Sequence, residues 1–228
     1  MAQIVIENIS KNYAVGAETI GAVRSASVSI DKGQFVSIVG HSGSGKTTFL
    51  SLIGGMVSPT SGRVLFNGND IYTWDSDALS EYRCENVGFM FQSGSLLPIL
   101  TARENLMLPV AFRTHLRSDA AGADEQHATE LLNAVGLADK VNAYPSQLSG
   151  GQQRRVAIAR AFMNRPEVIL ADEPTGDLDE ETESDMVSFF RRMNEDHGIT
   201  FIMVTHNTDL AGQARQRLRM ERGVLTSV

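Results

Sequence analysis

Apolar residues recur along this chain with two rhythms. Ile4, Ile6 and Ile9 open it in a strand-like pattern. Residues 23–30 alternate as well, with Val28 and Ile30 apolar and Ser27 and Ser29 polar, which predicts a second strand. Gly16 and Gly21 are expected to break the stretch between the two. Phe35-Val36-Ser37-Ile38-Val39 follows the turn Asp31-Lys32-Gly33 as a short, largely apolar strand, and 47–53 reads as the start of a helix. A strand is expected over 63–66, between the turn 59–62 and the hairpin-type turn Asn67-Gly68. A short helix over 75–84 and a buried strand over 87–91, ending at Gln92, come next.

Beyond residue 93 the rhythm turns helical. Ser95-Leu96-Leu97-Pro98-Ile99-Leu100 is an apolar loop. Thr101 and Glu104 fit the N-cap and third helical position of a capping box. Residues 118–124 read as a polar hinge, 125–135 as a helix with Leu131, Leu132 and Val135 on one face, and 150–163 as another helix. From Pro166 strands return. Residues 168–171 and 200–204 are apolar strands around a helix over 180–192, and 215–228 is a charged hairpin around Gly223. Strands alternating with helices predict an α/β fold whose mainly parallel sheet is covered on both faces.

Composition narrows the class. The chain has 228 residues, 42% hydrophobic and 21% charged, which suits one large soluble domain or one domain carrying an insertion. Its net charge of −7 lacks the broad basic footprint of a nucleic-acid binder. Cys84 is the only cysteine, so no intrachain disulfide can form, which fits a reducing compartment. The first residues show no basic segment followed by an apolar run, so no secretory signal is expected. No apolar stretch approaches the ~18 residues of a membrane span.

The strongest chemical signal is Gly40-His41-Ser42-Gly43-Ser44-Gly45-Lys46-Thr47-Thr48, which fits G-x-x-x-x-G-K-[ST] between a strand and a helix. Glycines let the backbone bend and bring amides close to oxygens. Amides and helix N-terminus together make a concave anion site. Lys46 adds a point charge for the outer phosphates, and the Thr47 hydroxyl is placed to ligate Mg²⁺. His41 sits at a position where only the backbone is needed.

Asp172 and Glu173 end an apolar strand, at the sheet edge where α/β ligand sites form. Alone they would read equally as a strand end closed by solvated acids. Beside a P-loop, Asp172 is placed to hold Mg²⁺ through water, and Glu173 is free to polarise an attacking water. Leu148-Ser149-Gly150-Gly151-Gln152 opens a helix with a hydroxyl and two glycines, which is an ordinary N-cap or a second anion site. Two such sites in one chain suggest a head-to-tail pair of chains, each completing the other's site.

Together these motifs resemble the ATP-binding-cassette (ABC) ATPase family, over almost the whole chain and in the family's order and spacing. The resemblance implies a P-loop NTPase fold: a RecA-like core with antiparallel strands at its N-terminus and an inserted α-helical subdomain. Residues 1–228 would form one domain, with core at 1–92 and 166–228 and the helical insertion at 93–165. Ser149, Gly150, Gly151 and Gln152 would be the family signature, acting on the ATP of the opposite subunit. Gln92 would touch Mg²⁺ and sense a membrane partner, Asp179 would be the D-loop aspartate, His206 the switch histidine on the γ-phosphate, and Tyr13 the aromatic on adenine. The alternative for Tyr13 is half-buried packing, and His115, His127 and His197 read as surface or loop residues. Asp177 stands where many relatives carry asparagine or alanine.

Phe89-Met90-Phe91-Gln92, Leu96-Leu97-Pro98 and Asp172-Glu173-Pro174-Thr175-Gly176 are most similar to the lipoprotein-release, macrolide-export and cell-division group. That resemblance implies an ATP-hydrolysing homodimer at the cytoplasmic face of the inner membrane. It would use ATP and Mg²⁺, bind no nucleic acid, and drive two permease subunits docked near residues 92–100. The alternative it carries is a regulatory ATPase of a division-type complex that transports nothing.

Overall fold

The central strands are buried along nearly their whole length, because both faces of their sheet are covered. The computed structural model describes residues 2–16, 18–91, 96–113, 121–176 and 178–228. In chain order its elements are β1 (Ala2–Val15), β2 (Glu18–Asp31), β3 (Phe35–Val39), α1 (Lys46–Ile53), β4 (Ser61–Phe66), β5 (Asn69–Asp70), α2 (Ser76–Glu81) and β6 (Val87–Met90). Then come α3 (Ala102–Met107), α4 (Ala121–Ala134), α5 (Gly150–Arg160), β7 (Val168–Asp172), α6 (Glu180–His197), β8 (Thr200–Val204), α7 (Thr208–Gly212), β9 (Gln216–Glu221) and β10 (Val224–Ser227).

Two sheets result. One is antiparallel, ordered β2-β1-β4-β5. The other, ordered β10-β9-β3-β8-β7-β6, is parallel except for β10. On one face of the parallel sheet, Val36, Ile38, Leu170, Ile202 and Val204 pack with α1 and the antiparallel sheet. Their sequence neighbours Phe35, Ile169, Ala171, Phe201 and Met203 point the other way, into a core shared with α3 to α6. Phe35 stacks on Phe201 at 5.1 Å between ring centres, and Phe162, Phe189 and Phe190 close around them. Buried Thr200 donates to Gln3 and accepts from the Gly33 amide, while Gln3 donates to Glu167, so the first strand is tied to the base of the parallel sheet. The parallel sheet covered on both faces is the expected architecture.

Several boundaries differ from the sequence pattern. Gly21 does not break a strand. It lies inside β2 opposite Asn12, where a Cβ would stand 3.3 Å from the Asn12 amide oxygen and 3.2 Å from Arg24 Nε. The buried strand stops at Met90, and Phe91 is exposed, stacked on Phe89. The end of the expected hinge is already helical in α4, and the rest of it lies outside the described residues. Helix α5 ends at Arg160, whereas α6 runs on to His197 and closes on Gly198 in the left-handed conformation. His127 is not a surface residue: it sits half-buried on α4, and desolvation lowers its pKa below the ordinary histidine value. Thr101 and Glu104 form the expected capping box at the start of α3.

Candidate functional site

The loop between β3 and α1 sits at the C-terminal edge of the parallel sheet. Two glycines allow it to lie there. A Cβ on Gly40 would meet the Met220 carbonyl oxygen at 2.2 Å. Gly45, at φ 105°, caps α1 in a conformation that side chains disfavour, and a Cβ there would stand 2.1 Å from the Ala22 carbonyl. The first amides of α1 have no intrahelical acceptor and face outward from the helix start. Lys46 is only 8% exposed, and its ammonium donates to the carbonyls of Gly40 and His41 at 2.7 and 3.0 Å. Among the described residues it has no carboxylate partner. Ser44 Oγ is buried without any hydrogen bond. A buried cation held only by neutral carbonyls, beside an unpaired hydroxyl, is a site shaped for an anion.

The loop forms one wall of an open cleft of about 1040 Å³. The cleft brings together Tyr13, residues 40–43, residues 45–48, Asp172, Glu173 and His206, as the sequence predicts. Thr47 Oγ1 donates to Asp172 Oδ2 at 2.6 Å, which joins the hydroxyl and the carboxylate expected around one Mg²⁺. Hard oxygen donors of this kind, one of them anionic, fit that ion. Tyr13 lines the cleft, 38% exposed, opposite Ile20 across the hairpin and with Lys11 Nζ 5.1 Å from its ring centre.

Glu173 is held in an unusual way. Its φ is 47°, a left-handed value that a glutamate seldom adopts. Its Oε2 accepts from the His206 amide at 3.2 Å and faces His206 Nδ1 at 2.9 Å. One of its two oxygens is thus engaged. Its Oε1 has no hydrogen-bond donor among the described residues. The histidine side chain is 74% exposed and the glutamate side chain 14% exposed, so the pair points from the sheet edge into the cleft.

The serine-glycine segment lies elsewhere. Ser149 caps α5, its Oγ accepting from the Gln152 amide at 3.2 Å while Gln152 Oε1 accepts from the Ser149 amide at 2.9 Å. Ser149 and Gly150 are exposed, and a Cβ on Gly150 would meet nothing. None of residues 149–152 lines the cleft, and neither does Asp179. Asp179 caps α6 instead, and the Thr182 amide and hydroxyl hold its carboxyl below the usual range. Gln92 and Asp177 lie outside the described residues.

A family model described as "ABC transporter" matches residues 23–176. The chain belongs to the ABC transporter family. It is 41% identical to the lipoprotein-releasing system ATP-binding protein LolD of Myxococcus xanthus over 98% of each chain. It is 40% identical to the macrolide export ATP-binding/permease protein MacB of Rhodopirellula baltica, where it spans 97% of its own length but 32% of the relative's. The structure titled as a dimeric post-hydrolysis state of the ATP-binding cassette MJ0796, bound to ADP and Pi, superposes with a TM-score of 0.92 at 38% identity, covering 99% of this chain and 97% of that one. The fold is therefore that of an ABC cassette, and the chain is an ATPase of that family.

The structure adds a residue to this cassette that motif reading did not single out. Arg154, 7% exposed on α5, donates to the carbonyls of Phe91, Glu173 and Pro174. It joins the helix begun by Ser149 to the segment that carries Glu173. The signal was present: an arginine on the face of α5 that otherwise buries Ala157 and Ile158.

Proposed function

We propose that this cassette is the motor of a membrane export or release system. Two copies bind two ATP molecules head to tail. The observation that carries this reading is the separation of two formed sites in one chain. The cleft at Lys46 is open, and the capped helix start at Ser149 is exposed and lines no part of it. A second copy, placed by two-fold symmetry, supplies each cleft with the missing wall.

In this reading residues 40–48 hold the phosphates, and Tyr13 stacks on adenine. Thr47, Gln92 and, through water, Asp172 would hold Mg²⁺, which would supply charge neutralisation for phosphoryl transfer. Ser149, Gly150, Gly151 and Gln152 of the second copy close over the γ-phosphate, with Asp179 beside them at the dimer contact. Glu173 Oε1 polarises the attacking water. His206, which stands beside Glu173, contacts the γ-phosphate and helps orient the attack. Closure depends on the triphosphate, so hydrolysis resets the clamp. The helical segment 93–165 moves as a subdomain against the core at 1–92 and 166–228.

Docking is read from one loop. Asn105, fully buried, donates to the carbonyls of Leu97, Leu100 and Thr101 and accepts from the Leu97 amide. It fixes the loop so that Leu97 and Ile99 stand out, 46% and 80% exposed. Apolar side chains presented by a rigid polar core suit a partner surface. Among the described residues no helix is long and apolar enough to cross a membrane, so in this reading the cassette is held at the cytoplasmic face by a permease pair. The names of the relatives, lipoprotein release and macrolide export, favour transport over division-type regulation.

Co-expression with the permease tests this. The wild-type chain is expected in the membrane fraction only when the permease is present. Ile99→Glu is expected to lower that fraction about tenfold, since a carboxylate buried without a partner costs over 1.4 kcal/mol. Its ATPase rate in solution should stay within about twofold. Undiminished membrane retention by Ile99→Glu would remove the docking surface from this account.

A further inference from the structure

We propose that Glu183 is a positioning residue for hydrolysis, bracing the glutamate loop against the histidine loop from behind. The inference rests on the roles given above to Glu173 and His206.

The two loops leave adjacent parallel strands, β7 and β8, and each carries one reacting side chain. On the cleft side they meet through Glu173 itself, whose amide donates to the Val204 carbonyl and whose Oε2 accepts from the His206 amide. The side-chain half of that contact belongs to groups engaged in the reaction, Glu173 with the attacking water and His206 with the γ-phosphate. A second contact away from them holds the loops in register independently.

Behind the cleft the loops meet a second time. Glu183, in the first turn of α6, accepts at one oxygen, Oε1, from Thr175 Oγ1 at 2.8 Å and from Asn207 Nδ2 at 3.1 Å. Thr175 lies two residues after Glu173 and is 4% exposed. Asn207 directly follows His206 and is itself fixed: its amide donates to Thr205 Oγ1, and its Oδ1 accepts from the Leu210 amide in α7. The Glu183 amide donates to the carbonyl of Asp179, the residue that caps α6. One carboxylate therefore links the start of α6, the loop bearing Glu173 and the loop bearing His206.

The chemistry suits a fixed brace. Both partners are donors, so an anionic acceptor strengthens both bonds. The N-terminus of α6 favours the negative charge. Reacting groups lose rate steeply when displaced by an ångström, so a brace one or two residues from them acts through geometry and not through binding.

Steady-state kinetics test it. Glu183→Ala is expected to lower kcat about tenfold while the KM for ATP stays within about twofold. Glu183→Gln keeps a carbonyl oxygen for both donors and is expected to retain at least half of the wild-type kcat. Asn207→Asp sets two carboxylates face to face and is expected to slow turnover as Glu183→Ala does. Adding Glu183→Gln to Asn207→Asp should recover most of the loss, because the new amide donates to the new carboxylate. Rates are taken per ATP-binding site counted by calorimetry. An unchanged kcat per site in Glu183→Ala, or a double variant no faster than Asn207→Asp alone, overturns the brace. Glu173→Gln is assayed alongside. If it turns over normally, the underlying reading of the site fails; if it is inactive while Glu183→Ala is normal, only the brace fails.

Discussion

Glu173→Gln is expected to reduce ATP turnover by about three orders of magnitude while leaving ATP bound. The substitution preserves shape and removes the basic oxygen, and positioned general bases contribute roughly 10²- to 10⁴-fold. The middle of that range applies here. The side chain is 14% exposed, and its Oε1 meets no competing donor among the described residues. The Lys46 loop and the Thr47–Asp172 pair are untouched by the change, so affinity for ATP should stay within about threefold. Phosphate release and calorimetry on the same preparation check both halves. A loss of less than about tenfold would take Glu173 out of its assigned role.

Lys46→Ala is the second large effect, and it falls on binding. Hydrogen bonds to a charged group contribute about 1.5–3 kcal/mol. A phosphate bound in this loop receives its one buried ammonium from Lys46, which is already desolvated and already aimed by two carbonyls. Removal is expected to weaken ATP binding about 100-fold, or about 2.7 kcal/mol. The fold should persist, because among the described residues the ammonium bonds only to carbonyls of its own loop. Calorimetry with ATP measures the shift, and an unchanged affinity would contradict the phosphate site.

Much of this was legible in the sequence, for a physical reason. The P-loop, the strand ending in Asp172 and Glu173, and the serine-glycine helix start are local: spacing along a few residues sets their geometry. The same holds for the Thr101–Glu104 box. Contacts that depend on where the chain returns were not legible. Gly21 looked like a break, but the β1–β2 ribbon runs past it because Asn12 pairs across from it. Phe91 continues an apolar run, yet the pairing with β7 ends at Met90 and only the stacked Phe89 ring leaves Phe91 partly covered, 43% exposed. Glu173 and His206 lie 33 positions apart, so their contact follows only from the pairing of β7 with β8. Arg154 and Glu183 are harder cases still. Each is one charged residue in a helix, and only the packing shows that the first reaches three carbonyls and the second two loops.

The separation of Ser149 from the cleft makes the paired-chain geometry the claim on which the rest depends. Light scattering on Glu173→Gln protein, with and without Mg²⁺ and ATP, measures it directly. The account predicts a monomer without nucleotide, a dimer with it, and a monomer in both conditions once Ser149→Arg is added. A chain that stays monomeric with saturating ATP, or a dimer indifferent to Ser149→Arg, would contradict it.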